Sequence, residues 1–154
     1  MPVAIEIKKV LPRMYVGIRR TVKRDGLGPA CAEILSRVAG WLASKGKQPA
    51  GGPIMVYHSI NEATGDFHVQ PAYFVGPAIT SEGEFTIGET AGGDALFAVH
   101  AGPYASLDQT WAQLFNYAAS IRRKVTRSSW EVYLNTPGDA AEADLRTEIY
   151  VPID

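Results

Sequence analysis

Trp130-Glu131-Val132-Tyr133-Leu134-Asn135-Thr136-Pro137 and Leu145-Arg146-Thr147-Glu148-Ile149-Tyr150-Val151-Pro152-Ile153 are two alternating patterns flanking a turn-rich segment. Alternation of this kind has the period of a β-strand, so each stretch is expected to be one. The second carries a carboxylate, Glu148, among aliphatic and aromatic residues. A charge there is costly unless it meets water or a partner. A cationic or polar small molecule would be such a partner.

The same reading extends outward. Val3, Ile5 and Ile7 alternate with Ala4, Glu6 and Lys8 as a first strand, broken at Leu11-Pro12. Met14 to Arg20 reads as a second strand. Gly26-Leu27-Gly28-Pro29 prepares a helix, with Pro29 in its first turn. Ile34, Leu35, Val38, Trp41 and Leu42 recur at helical spacing, and Gly46 is a stop. Pro53 to His58 and Phe67 to Val75 are further strands; Pro71 predicts an edge position, a bulge or a break. Phe85 to Thr90 and Ala95 to His100 are strands. A second helix follows Gly102-Pro103-Tyr104, with Ser106 and Gln109 as a capping box. Its apolar face is expected from Leu107, Trp111, Leu114, Phe115 and Ala118.

The two halves, approximately 1–79 and 80–154, repeat one plan. Val56-Tyr57 matches Val132-Tyr133, and Phe74-Val75 matches Tyr150-Val151 at the same offset. Each half reads strand–helix–strand–strand. This predicts a single α+β domain over 1–154 with pseudo-twofold symmetry and a curved, mainly antiparallel sheet. Both helices are expected on one face, with a ligand cleft between the repeats.

Composition narrows the function. Lys and Arg total 15 against 16 Asp and Glu, a formal net charge of -1, so no basic field points to nucleic acid. Cys31 is the only cysteine, which suits a reducing, cytoplasmic setting. No stretch reads as a signal peptide or a membrane span. His58, His68 and His100 are scattered singly, without metal-ligand spacing. Nucleophile elbows, phosphate loops and dinucleotide fingerprints are absent, so no cofactor or metal is expected. Arg122-Arg123-Lys124 and Arg127 are read as charge complementing a helix C-terminus.

Four stretches, in order, resemble the DNA gyrase inhibitor-like small-molecule-binding domains. They are Leu11 to Ile18, His100 to Leu107, Trp130 to Pro137 and Leu145 to Ile153. Domains of this family also form the effector-binding part of multidrug-sensing transcription activators. The resemblance implies two strand–helix–strand–strand modules and a ligand cleft whose floor is reached by an acid of the closing strand. Glu148 matches that position. A strand's period puts Tyr150 on the same face, although both would equally suit a solvated outer face. The activators carry a DNA-binding region before this domain. This sequence opens on the ligand domain's first strand, so it is not expected to be a complete activator.

The expected site is therefore Glu148 with walls of Tyr150, Tyr104 and Trp111. His100 either polarises the ligand or bonds a backbone carbonyl. The expected function is capture or sensing of an amphipathic, aromatic or cationic compound, read out through a separate regulator. Relatives that hydrolyse strained genotoxic compounds give an enzymatic alternative, with Glu148 as general base. The gyrase-inhibitor likeness gives a third, a protein-interaction module facing a topoisomerase.

Overall fold

A computed structural model describes residues 2–154. The chain runs β1 (Glu6–Val10), β2 (Met14–Gly17), β3 (Arg20–Val22), α1 (Leu27–Ser44), β4 (Gly51–Asn61), β5 (Asp66–Phe74), β6 (Thr86–Glu89), β7 (Gly93–Ala101), α2 (Leu107–Ser120), β8 (Ser129–Tyr133) and β9 (Arg146–Pro152). The fold is α+β, and strands pair antiparallel within each of two compact units.

One unit is Pro12–Thr90. Its strands lie in the order β4-β5-β2-β6, with β3 also on β5. Helix α1 buries Ile34, Val38, Trp41 and Leu42 of the stripe its sequence spacing predicts, adds Ala30, and leaves Leu35 partly exposed. They pack on Val16, Ile18, Val75 and Ile79. Trp41 stacks on Phe85 at 4.6 Å, and its indole donates to Glu82 at 2.8 Å.

The expected single strand from Met14 to Arg20 is instead broken into β2 and β3. Its neighbour supplies the reason. Pro71 sits inside β5, opposite Met55, and has no N–H to donate. Opposite it β2 ends, and a long backbone link follows, from Ile18 N–H to the Pro71 carbonyl at 3.4 Å. The irregularity that Pro71 demands is thus carried by the adjacent strand, while Pro71 itself occupies an interior one. Gly17 allows the approach: a Cβ there would stand 2.2 Å from the Pro71 oxygen.

The other unit joins the segment ending at Leu11 to Ala91–Asp154. Its strand order is β1-β7-β9-β8. Helix α2 covers one face through Leu114 and Ala118, which meet Leu96, Ala98, Ile149, Val151 and Ile153. The first strand begins later than its alternation suggests, at Glu6. Ahead of it the Val3 N–H donates to the Gln113 side chain of α2 at 2.7 Å, and Val3 and Ile5 pack on the helix-side core.

The capping box is not made. A turn of 3₁₀ helix, Tyr104–Ser106, runs directly into α2 and leaves Ser106 with φ -103 and ψ 5. From that backbone its hydroxyl turns to the Pro103 carbonyl at 3.0 Å rather than to the helix amides. Among the described residues no helix is long and apolar enough to cross a membrane.

Candidate functional site

Pairing register decides which side chains share a face, because directly opposed residues of an antiparallel pair point the same way. In the Ala91–Asp154 unit Ala98, Ile149 and Glu131 form one cross-strand row, and His100, Thr147 and Tyr133 form the next. Both rows lie on the side covered by α2. Phe97, Tyr150 and Trp130 form a row on the opposite side, as do Val99, Glu148 and Val132.

The expected site residues are therefore divided. Glu148 and Tyr150 stay together on the face away from α2, with the Tyr150 hydroxyl donating to Glu148 Oε1 at 3.3 Å. Tyr150 lies flat on Trp130, centroids 5.0 Å apart and 10° between planes, and tilts against Phe97. Lys8 caps Phe97 at 3.6 Å. Trp111, Tyr104 and His100 belong to the α2 side. The pairing of Glu148 with walls of Trp111 and Tyr104 is not formed, because residues 147 and 148 point to opposite faces and α2 covers only the first.

On the α2 side the rings gather about a different acid. Glu131 is 1% exposed. Its Oε2 accepts from the Trp111 indole at 2.6 Å and its Oε1 from the Tyr133 hydroxyl at 2.7 Å. Tyr104 tilts against Tyr133 at 5.6 Å, and Phe115 lies nearly parallel to Trp111 at 5.7 Å. Burial of a carboxylate is tolerated when its lone pairs are met, and here two neutral donors meet them. The outer ring stays open to solvent, with Phe115 43% and Tyr104 36% exposed. Phe115 was expected to be core; its aromatic contact with Trp111 lies toward the surface instead.

His100 takes the second of the roles foreseen for it. Its Nε2–H donates to the Pro103 carbonyl at 3.0 Å, an acceptor-only partner, which leaves Nδ1 to accept from the Thr110 hydroxyl at 2.7 Å. The buried imidazole thus ties β7 to the turn that carries Tyr104 and to the first turn of α2 at Thr110. Thr147, beside it, has a buried hydroxyl with no hydrogen-bond partner among the described residues.

Glu131 lies in the stretch that decides the fold, yet its alternation carries no more weight than that of Glu148. One signal was available. When the halves are aligned on Val56-Tyr57 and Val132-Tyr133, Glu131 falls opposite Met55. An acid standing where the repeat has a methionine marks an exception to an apolar position. A separate open hollow of about 440 Å³, lined by Val3, Ile5, Gln113 and Tyr117, lies on another side of α2. Among the described residues no group of three or more His, Cys, Asp or Glu is arranged to hold a metal.

The family model described as GyrI-like small molecule binding domain matches residues 4–154. The chain belongs to this family. Among solved structures, the C-terminal domain of EcmrR is similar over 100% of the chain and 99% of its own length, with a TM-score of 0.75 at 18% identity. The longer EcmrR chain in a complex with DNA gives a TM-score of 0.79 at 18% identity, over 99% of this chain; this GyrI-like chain spans only 57% of that one. SAV2435, solved bound to tetraphenylphosphonium, gives 0.66 at 16% identity, covering 98% of this chain and 94% of its own. A hydrolase from Listeria innocua gives 0.68 at 12%, covering 99% and 93%. At these identities the likeness is one of fold. No curated protein sequence matches.

Proposed function

We propose that this GyrI-like domain binds amphipathic, aromatic cations on the α2 side of the Ala91–Asp154 unit, with Glu131 as the acid. The observation that carries this reading is a carboxylate buried among rings: Trp111 and Tyr133 bonded to its two oxygens, with Tyr104 and Phe115 against them. A cation arriving beside it gains from a low local dielectric. Each aromatic face adds ~0.5–2 kcal/mol to a cation it covers. The role first expected of Glu148 passes to Glu131, because the rings expected around that role surround Glu131. The tetraphenylphosphonium complex of SAV2435 supports the ligand class by analogy of fold. Capture or sensing of such compounds then follows, with a separate partner reading the bound state.

Titration with tetraphenylphosphonium, followed by tryptophan fluorescence, tests the reading because Trp111 is in the site. Saturable quenching that weakens about tenfold or more in Glu131→Gln is expected, since a charged partner is worth about 1.5–3 kcal/mol. Equal affinity in the variant removes Glu131 from the site.

A hydrolase is the second reading, favoured by the 2.7 Å contact between Tyr133 and Glu131. There Glu131 takes a proton from water as its oxygen adds to an electrophilic carbon, and the Tyr133 hydroxyl donates to the departing group. Product formation that disappears in Glu131→Ala separates it from simple binding.

A further inference from the structure

We propose that the Thr147 hydroxyl is a specificity-determining contact of the site around Glu131, donating a hydrogen bond to an acceptor oxygen of the bound aromatic cation. That contact presupposes the role proposed for Glu131. It narrows the ligand to an aromatic cation that also carries a carbonyl-type oxygen.

The inward positions of the closing stretch are Leu145, Thr147, Ile149, Val151 and Ile153, each 2% exposed or less. Thr147 is the one polar residue in that row. Valine has nearly the same shape and suits a strand equally well, so packing does not call for a hydroxyl there. A buried hydroxyl that meets no partner carries a cost that valine escapes. Thr147 Oγ1 is in that condition among the described residues.

Its cross-strand neighbours are His100 on β7 and Tyr133 on β8, all three on the side covered by α2. His100 has both ring nitrogens engaged, with the Thr110 hydroxyl at 2.7 Å and the Pro103 carbonyl at 3.0 Å. The Tyr133 hydroxyl donates to Glu131 Oε1 at 2.7 Å. Directly opposed residues hold their Cβ atoms about 4.5–5.5 Å apart, so Thr147 stands one side chain from the ring that touches the carboxylate. Tyr104 tilts against Tyr133 at 5.6 Å and is 36% exposed, and it is the ring a ligand displaces to reach Thr147. A hydroxyl fixed on a strand with its proton uncommitted favours a ligand that brings an acceptor, and the same site takes a cation without one less tightly.

The experiment compares (acetylphenyl)triphenylphosphonium, as its ortho, meta and para isomers, with the isopropenyl counterparts, in which a methylene group replaces the carbonyl oxygen at nearly equal size. Tryptophan fluorescence gives each affinity for the parent, Thr147→Val and Thr147→Ser. At least one acetyl isomer is expected to bind the parent about fivefold more tightly than its counterpart, the worth of one hydrogen bond to a buried group. That preference should vanish in Thr147→Val and persist in Thr147→Ser, with tetraphenylphosphonium affinity unchanged in both. Thr147→Val should also raise the urea midpoint of the free protein, because it removes an unmatched buried hydroxyl. No preference in the parent, or one that survives in Thr147→Val, overturns the contact. So does a lower midpoint in Thr147→Val, which means that the hydroxyl is already bonded in the free protein. None of these results touches Glu131, whose role stands or falls with tetraphenylphosphonium binding in Glu131→Gln.

Discussion

The indole Nε1 of Trp111 donates a 2.6 Å hydrogen bond to Oε2 of Glu131, joining α2 to β8 through a buried carboxylate. Replacing Trp111 by Phe keeps a ring but removes the donor. An acceptor left short of a partner in a buried place costs about 1–3 kcal/mol, more when it is charged. The expected outcome for Trp111→Phe is a loss of that size in urea denaturation, with weaker tetraphenylphosphonium binding. Unchanged stability would mean that this bond is replaced by water at no cost.

Glu148 provides the matched comparison. It lies on the face away from α2 and accepts from Tyr150, not from Trp111 or Tyr133. Glu148→Gln is expected to leave tetraphenylphosphonium affinity within about twofold of the parent, well inside the tenfold that marks 1.4 kcal/mol. A large loss in Glu148→Gln with none in Glu131→Gln would return the site to the β9 acid.

Gly17 tests the break between β2 and β3. A Cβ there would lie 2.2 Å from the Pro71 carbonyl and 2.7 Å from the Ala72 Cβ, and backbone cannot swing aside as a flexible side chain can. Gly17→Ala should destabilise by about 1–3 kcal/mol or more, the ordinary cost of overpacking. A thermal or urea midpoint equal to that of the parent would show that the strands separate freely here.

The depressed pKa of His58 has a pH consequence. Below its ordinary value of 6.5 the unfolded chain takes up a proton that the folded chain resists, chiefly through burial. Stability attached to this group is complete above 6.5 and is lost as pH falls from there through the folded value. His58→Gln removes the titration. Its stability should therefore change less between pH 7 and 5 than the parent's, which denaturation midpoints at the two pH values read directly.

Asp94 behaves alike at lower pH. Lys9 at 2.7 Å and Arg123 at 3.1 Å hold its carboxyl below the usual 3.8. What this ion triad contributes is present above 3.8 and disappears as pH falls through the folded value. Asp94→Asn should lower the midpoint at neutral pH, more in dilute than in concentrated salt, and converge with the parent in acid.

Much of this architecture was legible along the chain. The strands β4, β5, β7 and β9 announced themselves by alternation or apolar runs, and α1 by Ile34, Val38, Trp41 and Leu42 at helical spacing. Four short stretches already carried the family. Other features were hidden because local patterns compete with contacts made elsewhere. The Ser106 capping signal yields to a 3₁₀ turn and to Pro103, and the irregularity demanded by Pro71 surfaces across the sheet at Gly17 and Ile18.

The acid of the site marks where sequence stops and tertiary structure begins. Alternation established that residues 148 and 150 share one face of their strand and residues 131 and 133 one face of theirs, for that follows from the pleat alone. It held no information on which face the preceding helix would cover. That was decided when Leu114 and Ala118 of α2 found Leu96, Ala98, Ile149 and Val151, a contact that brought the Trp111 indole over Glu131 and left Glu148 on the far side. Period is a property of the backbone, whereas the choice of side belongs to the burial of apolar surface between distant segments.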